Sequence, residues 1–231
     1  MSIKSSIITT LCALLALGHF QATAAEALPT RLLYDILDGD KRVGHLEVSL
    51  ESLAQGLIAR QNGEVELRRM MLTAKIKQTI EERWQGQSLL ALSSETLSDV
   101  AVGESKKSLT VTRETPGALR ATVDGKKSHE LPTDALPLSI WSGRALAEGP
   151  HFSITNGELI ELKANASSDA KSDTPQIVRY EGEECRHSRF EAVNGGKRST
   201  VAAWLGRDDI VCRLSITSGR DVLTYVRRPA P

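Results

Sequence analysis

The sequence predicts a mainly antiparallel β protein folded as a single domain, and three features carry that prediction. Apolar and polar residues alternate with a period of two over long stretches. Those stretches are punctuated five times by an Asx-Gly pair, at Asp38-Gly39, Asn62-Gly63, Asp124-Gly125, Asn156-Gly157 and Asn194-Gly195. Such pairs favour type I′ hairpin turns, because both central residues need positive φ and the turn's twist matches that of its strands. No shift in composition divides the 231 residues, and no repeat at a solenoid period is visible.

Taken along the chain, strand-like alternation begins at residues 31–37 and 42–50, where Leu46, Val48 and Leu50 form one apolar row. The clearest strand covers 72–84. Leu72, Ala74, Ile76, Ile80 and Trp84 share one face, interrupted by Gln78 and Glu82, while Thr73, Lys75, Lys77, Thr79, Glu81 and Arg83 share the other. That is the pattern of a long strand with one wet face. Strands follow at 88–98, 107–113, 119–124 and 126–131. Residues 132–149 break the alternation: Leu138, Trp141 and Ala145 stand at helical spacing, with Ile140 and Leu146 widening the stripe. Pro137 suits a first helical turn and Gly149 a stop, so a short helix is expected there, buried against the inner face of the sheet. Beyond a strand at 159–164, residues 165–175 carry no large apolar side chain and read as a mobile loop. Strands at 176–193, 198–205, 210–217 and 222–227 complete the domain.

Lysine plus arginine and aspartate plus glutamate each number 29, which speaks against a strongly basic nucleic-acid binder and against an acidic tail. With 40% hydrophobic residues the chain can bury a sizeable core without a metal or a disulfide framework. Only 4% are aromatic, so that core must be built from Leu, Ile, Val and Ala.

The first 25 residues read as an export signal: Lys4, an apolar run over residues 7–17, then Ala22-Thr23-Ala24-Ala25 as the small-residue cleavage site. The run is shorter than the ~20 apolar residues that span a bilayer, and nothing later reads as a transmembrane helix. Residues 26–231 would then form the mature β-rich domain, in the periplasm, with one net negative charge. Cleavage removes Cys12 and leaves Cys185 and Cys212. Two cysteines in an oxidising compartment suggest a disulfide. Strand phase points the other way, since Cys212 shares the apolar row Ile210, Leu214, Ile216, whereas Cys185 alternates with His187, Arg189 and Glu191. In a simple meander they would also lie two strands, about 9–10 Å, apart. A bulge at Gly182 or another strand order would permit the bond, and both outcomes stay open.

No catalytic constellation emerges. Cys185 and His187 could share a metal from one strand face, but no second pair with ligand spacing exists, so a charged solvent face is the simpler reading. Gly195-Gly196-Lys197-Arg198 lacks the upstream glycine and following Ser/Thr of a phosphate loop. The mature histidines, His45, His129, His151 and His187, accompany no G-x-S-x-G elbow. Asp208-Asp209 reads as turn chemistry, and Asn165-Ala166-Ser167 as a chance sequon. No cofactor, metal or nucleic-acid partner is implied. Trp84, Trp141 and Trp204 are the natural anchors of an apolar pocket, or simply of the core.

Several segments resemble a known family. Tyr34 to Gly39 followed by Arg42-Val43-Gly44-His45 is similar to its opening block. Leu138-Ser139-Ile140-Trp141 before Phe152, Ile154 and Asn156-Gly157-Glu158-Leu159 is similar to its middle, and Ala203-Trp204-Leu205, Arg213-Leu214 and Thr224-Tyr225-Val226 to its close. The family is the exported bacterial proteins grouped as domain of unknown function 6134. The sequence departs from it at Leu205-Gly206, where an aromatic is usual. The resemblance implies a large curved antiparallel sheet, a half-open barrel like that of periplasmic lipoprotein carriers, with the short helix against its concave face. Leu138, Ile140 and Trp141 would then face Ile76, Ile80 and Trp84 across a trough. Those six residues are the candidate ligand-binding set.

Two functions suit such a protein: a non-catalytic binding module for an apolar or lipid-like ligand, or a cell-envelope interaction protein docking through a sheet edge or the 132–149 helix.

Overall fold

The structure, a computed structural model, describes residues 30–69, 72–100, 103–114, 117–164, 177–180, 183–206 and 209–229. The expected export signal, the expected loop at 165–175 and the Asn165 sequon lie outside the described residues.

Sixteen strands occur among the described residues. The first eight are β1 (Arg31–Asp38), β2 (Lys41–Leu53), β3 (Gly56–Arg69), β4 (Leu72–Gln85), β5 (Ser88–Val100), β6 (Gly103–Arg113), β7 (Leu119–Val123) and β8 (Lys127–Leu131). After them come β9 (Leu136–Pro137), β10 (Gly149–Phe152), β11 (Leu159–Ala164), β12 (Ile177–Tyr180), β13 (Glu183–Asn194), β14 (Lys197–Leu205), β15 (Val211–Ser218) and β16 (Asp221–Arg227). They make one sheet in the order β8-β7-β6-β5-β4-β3-β2-β1-β16-β15-β14-β13-β11-β10-β9, with β12 paired to β13 beside that path. The first and last strands are neighbours, and every pair is antiparallel except β9 with β10.

The sheet is open and strongly curved, as its packing demands. Leu46 on β2 and Phe190 on β13 belong to one buried cluster although five strand spacings separate them, about 24 Å in a flat sheet. Leu92 on β5 and Phe152 on β10 share a second cluster across ten spacings, about 48 Å if flat. The sheet therefore curls until its β9–β11 end lies across the inner face of β4–β8. Polar contacts fix that closure: the Ser94 hydroxyl donates to the Ile154 carbonyl, and the His129 ring meets the Gly157 carbonyl at 3.0 Å.

The β4 alternation is as expected: Ile80 and Trp84 are buried, and the Lys75, Lys77, Arg83 side is wet. Leu72 departs from it, lying 61% exposed at the strand's end. Strand β3 is absent from the sequence reading. Its inward row is Leu57, Ala59, Gln61, Gly63, Val65, Leu67, with polar or missing side chains at its centre, and Asn62-Gly63 imitates a turn. Gly63 instead sits mid-ladder between Leu46 and Gln78, and the reversal falls at Ala54-Gln55. The other four Asx-Gly pairs do turn the chain, each with positive φ at its glycine. The single strand expected over 176–193 is two, β12 and β13, paired antiparallel.

The helix expected over residues 132–149 is corrected to a short strand, β9, an extended stretch and one 3₁₀ turn at Gly143–Leu146. The apolar side chains are buried as their spacing suggested, but the backbone bonds run outward. Leu138 N–H donates to the Phe152 carbonyl, Gly143 N–H to Asp209, and the Trp141 carbonyl accepts from Val211 N–H, at 2.6–3.1 Å. Pro132 and Pro137 cannot donate, and neighbouring strands supply the partners that an i−4 ladder would have used.

Cys185 is also corrected: it is fully buried rather than on the solvent side. The inward phase of β13 switches between Cys185 and Phe190, and opposite Trp204/Leu205 a bulge on β15 leaves Cys212 as the extra, also buried, residue. Gly206 has no Cβ where the Glu183 carboxylate and, at 3.2 Å, the Cys212 sulfur close in. Both cysteines are free thiols. Burial, then a hydrogen bond with Cys185, raises the Cys212 thiol well above its ordinary value. Trp204 faces outward, its ring 4.7 Å from His187 and 5.2 Å from the Arg213 guanidinium, so it anchors no interior pocket.

Candidate functional site

The curl leaves a cavity of about 260 Å³ between the concave sheet and the segment that crosses it. Strands β3 and β4 supply one wall through Val65, Ile76 and the glycine gap at Gly63. Strands β15 and β16 supply the opposite wall through Ile216, Leu223 and Tyr225, and β1 and β2 add Ile36 and Leu46 between them. Leu138, Ile140, Ile154 and Thr155 cover it. Inward residues at i and i+2 on each strand reach the same space because the sheet is concave. The walls are mainly aliphatic, with Gln61, Gln78, Thr155 and Tyr225 as the exceptions.

The polar exception is built around Glu82. Its carboxylate is completely buried on the inward row of β4, where it interrupts the apolar pattern. Oε2 accepts the indole N–H groups of Trp84 at 2.9 Å and Trp141 at 3.2 Å, and Oε1 accepts Gln61 Nε2 at 2.8 Å. Gln61 Nε2 also reaches Ser139 Oγ at 2.9 Å. Burial raises the Glu82 carboxyl above its ordinary value, and hydrogen bonds from Ser139, Trp84, Trp141 and Gln61 pull it back. Gln61 and Glu82 are diagonal neighbours in the β3–β4 ladder, Gln61 facing Ile80 and Ala59 facing Glu82. Gln61 is itself 1% exposed and lines the cavity, and its Oε1 has no hydrogen-bond partner. At the other side Gln78 Nε2 donates to Thr96 Oγ1 at 3.0 Å and Thr155 Oγ1 at 3.2 Å.

Of the six residues picked from sequence, Ile76, Leu138 and Ile140 stand on the cavity wall. Ile80 and Trp84 pack in the cluster with Leu92 and Phe152, and Trp141 in the cluster with Leu46 and Phe190. Both tryptophans point their N–H groups at Glu82. Sequence reasoning missed Gln61, because β3 was not recognised, and the β15–β16 wall, because nothing local reveals that the sheet curls. The available signal was Glu82 itself: a carboxylate on an inward row requires donors from neighbouring elements.

Among the described residues no group of three or more His, Cys, Asp or Glu side chains converges as a metal site. No helix among them is long and apolar enough to cross a membrane. His151 is buried, its Nδ1 3.0 Å from the Gly149 carbonyl, and burial lowers its pKa.

Comparison with known proteins agrees with this architecture. A β-barrel-like protein of the domain of unknown function DUF1849 from Brucella abortus superposes with a TM-score of 0.54 at 8% identity. The match covers 86% of this chain and 95% of that one, and it supports the fold alone. A DUF1089 family protein from Pseudomonas aeruginosa gives a TM-score of 0.37 at 12% identity, over 72% of this chain and 87% of that one. Among curated protein sequences nothing matches. These similarities do not point to catalysis. Residues 34–228 match the family described as Domain of unknown function (DUF6134), and the chain belongs to that family.

Proposed function

We propose that this DUF6134 protein is a non-catalytic binding module that holds an apolar, lipid-like ligand on the concave side of its sheet. The observation that carries the reading is the cavity. Interiors pack densely and leave few voids larger than a water molecule. Here about 260 Å³ stays open behind aliphatic walls, between a rigid sheet and a hydrogen-bonded cover. Binding pockets are typically apolar with a few placed polar groups, which describes this space. Its size limits the occupant: an engineered cavity of about 150 Å³ takes up benzene, so this one suits a compact aliphatic body or one segment of a longer chain.

The Lys4, apolar-run and Ala22–Ala25 sequence supports export, which would place the module in the periplasm, where such ligands move between membranes. Native mass spectrometry of protein purified from the cell envelope tests the reading. A retained apolar small molecule supports it. A ligand-free protein that keeps a protein partner instead favours the envelope-interaction reading.

A further inference from the structure

We infer that the occupant of the cavity is a neutral aliphatic alcohol, its hydroxyl donating to Gln61 Oε1. The inference rests on the binding-module reading and adds the chemistry of the ligand's polar end. Three observations meet at this residue. Gln61 is buried in the β3 wall of the cavity. Its amide nitrogen is committed, to Glu82 Oε1 at 2.8 Å and Ser139 Oγ at 2.9 Å. Its carbonyl oxygen is a buried acceptor with no partner.

The amide cannot profitably reverse. Turning it would set its carbonyl oxygen against the Glu82 carboxylate, on which the Trp84 and Trp141 indoles already converge as donors. The Glu82 network therefore leaves Gln61, a residue of the cavity wall, with its carbonyl oxygen as an unmatched acceptor, and an unmatched buried acceptor is costly until a donor arrives. Each alternative head group fails on the same geometry. A carboxylate, ester, ether or ketone brings only acceptors to an acceptor. An ammonium brings three donors and a charge into walls that are mainly aliphatic and hold no carboxylate. A hydroxyl supplies one donor, and its chain fills the space lined by Val65, Ile76, Ile216 and Tyr225.

Two isomers, octan-1-ol and 1-methoxyheptane, separate the question of the head group from that of the pocket, since they share atoms and nearly share shape. Calorimetric or NMR titration of the full mature chain should show octan-1-ol binding about tenfold tighter than the ether. Gln61→Leu should bring the two affinities together by weakening the alcohol alone. Equal affinities in the wild type, or a preference that survives in Gln61→Leu, overturn the alcohol assignment while leaving the binding module standing. Binding of neither isomer overturns both. The wild-type comparison decides the matter even if Gln61→Leu fails to fold.

Discussion

The Trp141 indole N–H donates to Glu82 Oε2 across 3.2 Å, joining the segment that covers the cavity to strand β4 near its C-terminal end. Glu82 takes a second indole, that of Trp84, on the same oxygen. One buried carboxylate thus ties the β3–β4 wall to the cover of the cavity and orients the glutamine beside it.

Trp141 is for that reason placed as a core residue that ties the cover to strand β4. Trp141→Ala should destabilise the protein by about 3–5 kcal/mol, the usual range for a buried tryptophan. Trp141→Phe keeps most of the packing, loses the donor, and should cost about 1–3 kcal/mol. Urea unfolding measures both. A Trp141→Ala variant of unchanged stability but altered ligand uptake would make Trp141 part of the ligand site instead.

Glu82 should make stability depend on pH with a definite sign. Burial sets its folded pKa above the ordinary carboxyl value of 4.5. The contribution is then full below about 4.5 and is lost as pH rises through the folded pKa. The stability of the wild type relative to Glu82→Gln, which does not titrate, should fall as pH is raised from about 4 to 7. Paired urea titrations read the difference; a constant or rising difference contradicts the assignment.

His151 should act in the opposite direction. Its folded pKa is depressed below 6.5 by burial, so the unfolded chain takes up a proton first as pH falls. Its contribution is complete above about 6.5 and is lost below it. His151→Gln should flatten that part of the stability profile, and an unchanged slope would exclude His151 as its source.

The fold was legible where local chemistry is sufficient. The alternation through Ile76, Ile80 and Trp84, and positive-φ turns such as Asp124-Gly125, are properties of short segments. Strand β3 was hidden because its inward row contains Gln61 and Gly63, which the cavity and the Glu82 network require and a packed core does not. The 132–149 segment misled for a related reason: its apolar spacing records what it buries, while its backbone is held by Phe152, Asp209 and Val211 from distant strands. The site was half legible. Ile76, Leu138 and Ile140 announced one wall and its cover, but the β15–β16 wall depends on curvature summed over many strands.

Gly63 offers a direct way to narrow the cavity. Its backbone is extended, and an added Cβ would press on the Leu46 Cδ1 atom at 3.3 Å, the end of a flexible side chain, with the His45 carbonyl oxygen in ordinary contact at 3.8 Å. Gly63→Val should take up part of the space and weaken binding of aliphatic probes, with stability within about 1 kcal/mol of wild type, because valine's strand preference offsets mild crowding. Undiminished binding in a folded variant would move the ligand elsewhere.

Isoleucine methyl groups test the central claim most directly, because they mark the cavity and its surroundings separately. Ile36, Ile76, Ile140, Ile154 and Ile216 line it, whereas Ile80, Ile160 and Ile210 pack in the core without lining it. In methyl-labelled mature protein titrated with octan-1-ol, the first five resonances should shift saturably along a common binding curve and the other three should stay in place. Saturation confined to Ile80, Ile160 or Ile210, or no saturable shift at all, would contradict a ligand site on the concave face.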